Sequence, residues 1–152
     1  MMIESSRVID FHGHVGRWDI YGMIDNPDLM LQAMDAVGID NACLFHIFHP
    51  DGVSSNDLTA RFVAQHPDRF VGFAYVSPLM SSGCIDELAR AIDELQFSAI
   101  KLYPPYTPWP LNKPQWNPIY EFADERGLTI IFHTDSGPQS QPKFIADIAP
   151  RY

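Results

Sequence analysis

Residues 7–16 read Arg-Val-Ile-Asp-Phe-His-Gly-His-Val-Gly, an apolar, β-branched run that leads into an Asp-x-His-x-His pattern. The run predicts a strand that ends in polar side chains. Because side chains alternate between the two faces of a strand, Asp10, His12 and His14 are expected to point the same way. Histidines at i and i+2 have Cα atoms about 6.6 Å apart, so both imidazoles can reach one metal ion. The stretch therefore predicts half of a divalent-metal site, with polar loop histidines as the alternative.

Composition and charge exclude several classes of protein. The chain has 152 residues, 46% of them hydrophobic, which favours one domain spanning residues 1–152 with a sizeable core. Its net charge of −9 argues against nucleic-acid or anionic-membrane binding, and no apolar run is long enough to span a bilayer. The first residues lack the pattern of a signal peptide. Cys43 and Cys84 read as reduced thiols, so we expect a cytoplasmic protein.

Strands and helices are predicted to alternate along the whole chain. The predicted strands cover residues 7–12, 41–47, 69–76, 98–103 and 128–133. The predicted helices start at Pro27 after an Asn26 cap, at Ser55 or Asn56, after Ser82-Gly83, near Pro114 and at Lys143. One β-α unit per roughly 30 residues predicts a parallel sheet with right-handed crossovers and with every helix on one side. The predicted fold class is α/β, a (β/α)8 barrel cut to about five units.

The strand faces place several polar residues at one edge of that sheet. On the fourth strand Ile100 and Leu102 are predicted to face the helices, which leaves Lys101 and Tyr103 inward. On the fifth strand His133 is predicted to point inward. These residues lie at the carboxyl ends of strands, where the active sites of barrels are built. A lysine that is buried at such a position needs a partner or a lowered pKa, so its position would itself indicate function.

Three segments resemble the amidohydrolase superfamily, in its amidohydrolase 2 branch: the Asp-x-His-x-His opening, IKLYPP at residues 100–105 and TIIFHTDSG at residues 129–137. The resemblance implies a metal-dependent hydrolase or decarboxylase of small carboxylated, amide or lactone compounds. It also implies that His12, His14 and His133 bind the metal. Neutral imidazoles favour Zn²⁺, with Fe, Mn or Co as alternatives.

Other candidate site residues are less sharply defined. Asp10 is expected to be a hydrogen-bond partner of the ligands rather than a ligand. Lys101 is interpreted as a cation that faces the substrate, with a metal bridge or a structural role as alternatives. Residues near the same edge could contact a small-molecule substrate or could simply pack the loops: Arg17, Trp18, His46 and Tyr103.

The resemblance covers the first five of the eight units of such a barrel. A closed barrel needs about 250 residues. The family takes a further site histidine from its sixth strand and a base-like aspartate from its eighth, so it assigns no catalytic residue within this chain. We therefore expect a fragment of a longer chain or a homo-oligomer that covers the open face. A TatD-like or PHP-type metal phosphoesterase and a non-catalytic barrel fragment stay open as alternatives.

Overall fold

The computed structural model describes residues 6–17, 25–49, 51–80 and 83–152, and strands alternate with helices throughout. The strands are β1 (Ile9–His14), β2 (Asn41–Phe45), β3 (Phe70–Tyr75), β4 (Ala99–Leu102) and β5 (Thr129–Phe132). The α-helices are α1 (Pro27–Val37), α2 (Gly52–Val63), α3 (Cys84–Asp93), α4 (Asn117–Glu125) and α5 (Lys143–Ile148). None of the described helices is long and apolar enough to cross a lipid bilayer.

The five strands form one parallel sheet in which spatial order equals chain order, β1-β2-β3-β4-β5. Each strand therefore pairs with the strand that follows it in the chain, as the spacing of the units predicts. The α/β half-barrel of five units is confirmed. All the carboxyl ends of the strands lie at one edge of the sheet, and this edge carries the candidate site.

Local sequence signals fix the first helix as predicted. The Asn26 side chain accepts a hydrogen bond from the Leu29 N–H at 3.1 Å, and Pro27 occupies the first turn. Gly38 ends the helix in the left-handed conformation, at φ 75°. α1 and its caps are confirmed.

The predicted starts of two other helices are wrong. α2 begins at Gly52 rather than at Ser55 or Asn56, because the Asp51 carboxylate caps it by accepting hydrogen bonds from the N–H groups of Val53 and Ser54. Residues 114–116 form a single 3₁₀ turn, and α4 begins only after it. A proline at the start of a helix suits either geometry, so the sequence alone does not separate them.

The two faces of the sheet differ in what covers them. Helix residues pack on one face in two apolar clusters, around Ile100 and Leu102 and around Ala42 and Leu44. The other face, the open face, carries a cluster from the strands and the residues that directly follow them: Cys43, Phe45, Ile47, Phe73, Tyr75 and Ala99, with Phe48, Val71, Tyr103 and Ile131 packed against it. The predicted faces of the fourth and fifth strands are confirmed.

Candidate functional site

A bulge in β1 sets the positions of its two histidines. The register pairs Asp10 with Ala42 and Gly13 with Leu44, so Phe11 and His12 together span the single residue Cys43 of β2. An added Cβ at Gly13 would lie 2.4 Å from the Leu44 side chain, which explains the glycine at this point.

The bulge corrects the predicted alternation at Asp10. Ala42, the partner of Asp10, belongs to the cluster beneath the helices, whereas His14 pairs with Phe45 of the open face. Asp10 therefore does not share the face of both histidines. Its carboxylate accepts a hydrogen bond from the His12 N–H at 3.0 Å, so it holds the bulged backbone. That Asp10 supports a bound metal through its ligands stays a prediction.

Three nitrogen-bearing side chains surround the ring of Phe45. The His12 and His14 rings lie 5.1 Å and 4.7 Å from it, centroid to centroid, and 5.2 Å from each other. The Lys101 Nζ lies 4.6 Å from the centre of the same ring. Residues from β1 and β4 thus meet around a ring of β2, at the carboxyl edge of the sheet.

Burial and mutual repulsion lower the pKa values of these groups, which leaves the two imidazoles neutral and Lys101 charged at pH 7. Burial, with smaller effects from the charges of His12 and Lys101, lowers the pKa of His14 to about 4. The pKa of His12 is also lowered, mainly by burial and then by Lys101. Burial lowers the pKa of Lys101 to about 8. Both imidazoles are therefore neutral at pH 7, the form in which histidine binds a metal.

His133 directly follows β5 and belongs to a second group of side chains. Its Nε2 lies 3.1 Å from the Asp135 carboxylate, and its ring lies 4.5 Å from the ring of Tyr103. Asp135 also accepts hydrogen bonds from the Gly137 N–H and the Ser140 hydroxyl, so one carboxylate orders the loop and orients the imidazole. His133 is close enough to lower the pKa values of His12 and His14 electrostatically.

His46 has a clear structural role. Its Nδ1 lies 2.8 Å from the Val15 carbonyl, and its ring is almost fully buried. A Cβ at Gly16, where φ is 91°, would lie 2.2 Å from this nitrogen. His46 thus anchors the chain as it leaves β1, and a contact with substrate remains a prediction. Arg17 is exposed, and Trp18 lies outside the described residues.

The donor chemistry fits a divalent cation, but the three predicted ligands do not form a ready set. The Nδ1 of His14 is buried without a hydrogen-bond partner among the described residues. A buried, neutral imidazole nitrogen of this kind is a suitable ligand for Zn²⁺ or a similar ion. In the described part of the chain, however, no three His, Cys, Asp or Glu side chains are arranged to hold a metal ion, and His133 is engaged by Asp135.

One buried network was missed by the sequence analysis. Asn56 of α2 donates to the Tyr75 carbonyl and to Glu87, and it accepts from the Tyr75 N–H. Glu87 also accepts two hydrogen bonds from Arg90. The network fastens the carboxyl end of β3, where Tyr75 pairs with Lys101. The spacing of Glu87 and Arg90 suggests an exposed helical ion pair, and nothing in the sequence indicates Asn56.

Solved structures of several enzymes share this fold. A 2,6-dihydroxybenzoate decarboxylase complexed with 2,6-dihydroxybenzoate matches with a TM-score of 0.71 and 20% identity over 95% of this chain and 55% of its own. A 4-oxalomesaconate hydratase from Rhodopseudomonas palustris matches with a TM-score of 0.65 and 23% identity, over 86% of this chain and 53% of its own. A 5-carboxyvanillate decarboxylase from Novosphingobium aromaticivorans, with bound manganese, matches with a TM-score of 0.69 and 19% identity, over 96% of this chain and 55% of its own.

These likenesses concern the fold, and the chain spans about half the length of each of these structures. The Amidohydrolase family model matches residues 9–152, which is nearly the whole chain. The chain therefore belongs to the amidohydrolase family.

Proposed function

We propose that this chain supplies the first metal-binding side chains of a metal-dependent enzyme that hydrolyses or decarboxylates a small carboxylated, amide or lactone compound. The observation that carries the proposal is the grouping of two neutral histidines and a buried lysine around Phe45, at the carboxyl edge of a parallel sheet. The family match and the enzymes that share the fold support it.

In this proposal His12, His14 and His133 hold the metal. When bound, such an ion would polarise a carbonyl or carboxylate and lower the pKa of a water molecule. Burial prepares His14 by keeping it unprotonated, and Asp135 orients His133. We propose Zn²⁺ on the chemistry of neutral imidazoles, with Mn²⁺ as the competitor, since two structures that share the fold contain manganese.

The loops beside the site would contact the substrate. Tyr103 and Tyr106 lie 4.6 Å apart, centroid to centroid, and Tyr103 reaches His133. Planar rings at this edge suit a planar or aromatic substrate. Arg17 and Trp18 remain predicted contacts on the loop after β1. Both cysteines are free, so we propose a reducing compartment, the cytoplasm.

Metal content tests the proposal directly. The purified protein would be stripped with a chelator, dialysed against equal Zn²⁺ and Mn²⁺, and analysed by plasma mass spectrometry. We expect a bound metal in the wild type and at least a tenfold weaker metal affinity in His12→Ala, His14→Ala and His133→Ala.

His66→Ala is the matched control. His66 is paired with Asp28 at 2.9 Å, and it directly precedes the turn into β3, so it lies away from the carboxyl edge. Its loss should leave metal content unchanged. Unchanged metal content in all three site variants, or wild-type protein that takes up no metal, would refute the proposed function.

A further inference from the structure

Lys101 is a fully buried cation that the fold does not neutralise. Its side chain is 0% exposed, and its Nζ has no hydrogen-bond partner among the described residues. None of the ion pairs in the described part of the chain includes it. A buried ammonium without an anion is costly, and proteins normally supply a carboxylate or expose the group.

The immediate neighbours of Lys101 do not provide that anion. In the sheet register Lys101 lies between Tyr75 of β3 and Ile131 of β5, and all three share the open face. The ring of Phe45 lies beneath its Nζ. The buried carboxylate of Glu87 is committed to Asn56 and Arg90 on the helix side of the sheet.

Lys101 is grouped with the two histidines of β1 around Phe45. Their rings and the Lys101 ammonium lie against the same Phe45 ring. The open face around these three groups is therefore positive in potential and carries aromatic rings. It is suited to an anion that carries a flat, apolar body.

We propose that Lys101 is the residue that binds the carboxylate of the substrate, and that this carboxylate is the counter-ion the fold leaves out. The inference rests on the proposed function and adds a specificity-determining residue to it. A carboxylate at Lys101 would direct the rest of the substrate towards His12 and His14. An uncharged analogue would leave the ammonium unpaired and would be rejected.

This role has a consequence that a structural lysine would not have. If Lys101 serves only the ligand, replacing it by methionine removes an unpaired buried charge while it keeps the length of the side chain. Lys101→Met should therefore raise the melting temperature of the ligand-free protein and weaken carboxylate binding at the same time. A lysine that stabilises the fold would give the opposite change in melting temperature.

The test compares two probes of equal shape, benzoate and benzamide, by titration calorimetry on the metal-free protein, so that binding reports the chain's own residues. We expect wild type to bind benzoate at least tenfold more tightly than benzamide, and Lys101→Met to lose that preference. Lys113→Met, which removes an exposed lysine from the loop before the 3₁₀ turn, is the matched control and should change neither affinity.

Each outcome decides the matter. Equal benzoate affinity in wild type and Lys101→Met, a wild type that binds neither probe, or a lowered melting temperature in Lys101→Met would overturn the role of Lys101. The proposed function is tested separately, because metal uptake depends on the histidines. A protein that takes up metal but shows no effect of Lys101→Met on benzoate keeps the proposed function and loses this inference.

Discussion

Replacing Asn56 by alanine should destabilise the protein by about 3–4 kcal/mol, although this residue touches none of the candidate ligands. The Asn56 side chain is 0% exposed and makes three hydrogen bonds. Its Nδ2 donates to the Tyr75 carbonyl at 3.1 Å and to Glu87 at 2.7 Å, and its Oδ1 accepts from the Tyr75 N–H at 2.8 Å. Alanine removes all three bonds.

The magnitude follows from the partners that are left behind. Each bond to the Tyr75 backbone is worth about 1 kcal/mol, and the bond to the Glu87 carboxylate about 1.5–2 kcal/mol. Glu87 keeps two hydrogen bonds from Arg90, so its charge is not left alone and its bond to Asn56 is counted at about 1.5 kcal/mol, which gives a total of about 3.5 kcal/mol. Domains of this size are stable by about 5–15 kcal/mol, so the variant should still fold.

Urea denaturation followed by tryptophan fluorescence and by circular dichroism measures the effect. With a slope of about 2 kcal/mol per molar urea, the midpoint should fall by about 1.5–2 M. Asn112→Ala is the matched control, because the Asn112 side chain donates to Asp147 at the surface. That variant should change stability by no more than about 0.5 kcal/mol.

A midpoint for Asn56→Ala within about 0.5 M of wild type would refute the reasoning, because it would place the cost below about 1 kcal/mol. It would mean that the end of β3 is held by the sheet alone. Asn56→Asp sharpens the test, since it keeps the shape but sets a second carboxylate against Glu87. We expect it to be at least as unstable at pH 7 as the alanine variant.

Two further predictions concern the candidate site. Gly16→Ala should lower the free energy of unfolding by at least about 2 kcal/mol, because of backbone strain at φ 91° and a clash with His46. The control is Gly127→Ala, at φ 62° with open space around it, which should lower the free energy of unfolding by only about 1 kcal/mol. Equal losses of stability in denaturant melts would contradict the role of His46. Between pH 6.5 and about 4, His14 is protonated in the unfolded chain but not in the folded, metal-free protein. The stability of the folded protein should therefore fall as the pH falls through that window, and it should fall less steeply in His14→Gln. Identical slopes in pH-dependent melts would contradict the burial of this imidazole.

Local signals in the sequence were enough to predict the elements and most of the strand faces. Asn26, Pro27 and Gly38 each act on their own helix turn, so α1 follows from its own residues. The position of Lys101 on the open face was also predictable from its own strand. Ile100 and Leu102 of β4 meet the helices, so the residue between them faces the other way.

What the sequence could not predict depends on pairing between distant segments. Between the two pairs that flank the bulge, β1 has two residues, Phe11 and His12, and β2 has one. This difference is visible only when the two strands are paired, and neither strand shows it alone. It moved Asp10 away from the face of the histidines. The contact of Asn56 with Tyr75 likewise needs the packing of α2 on β3. Asp51 is different: it is a preferred capping residue that acts on its own helix, so the start of α2 was predictable from the sequence and was missed.

The sheet in which each strand lies beside its successor has a consequence for how this polypeptide acquires its shape. Every strand can settle on a neighbour that was synthesised immediately before it, and no later segment must be threaded between earlier ones. Neighbouring units can therefore begin to pair before the rest of the chain has been synthesised, and the contacts that form first are close in sequence.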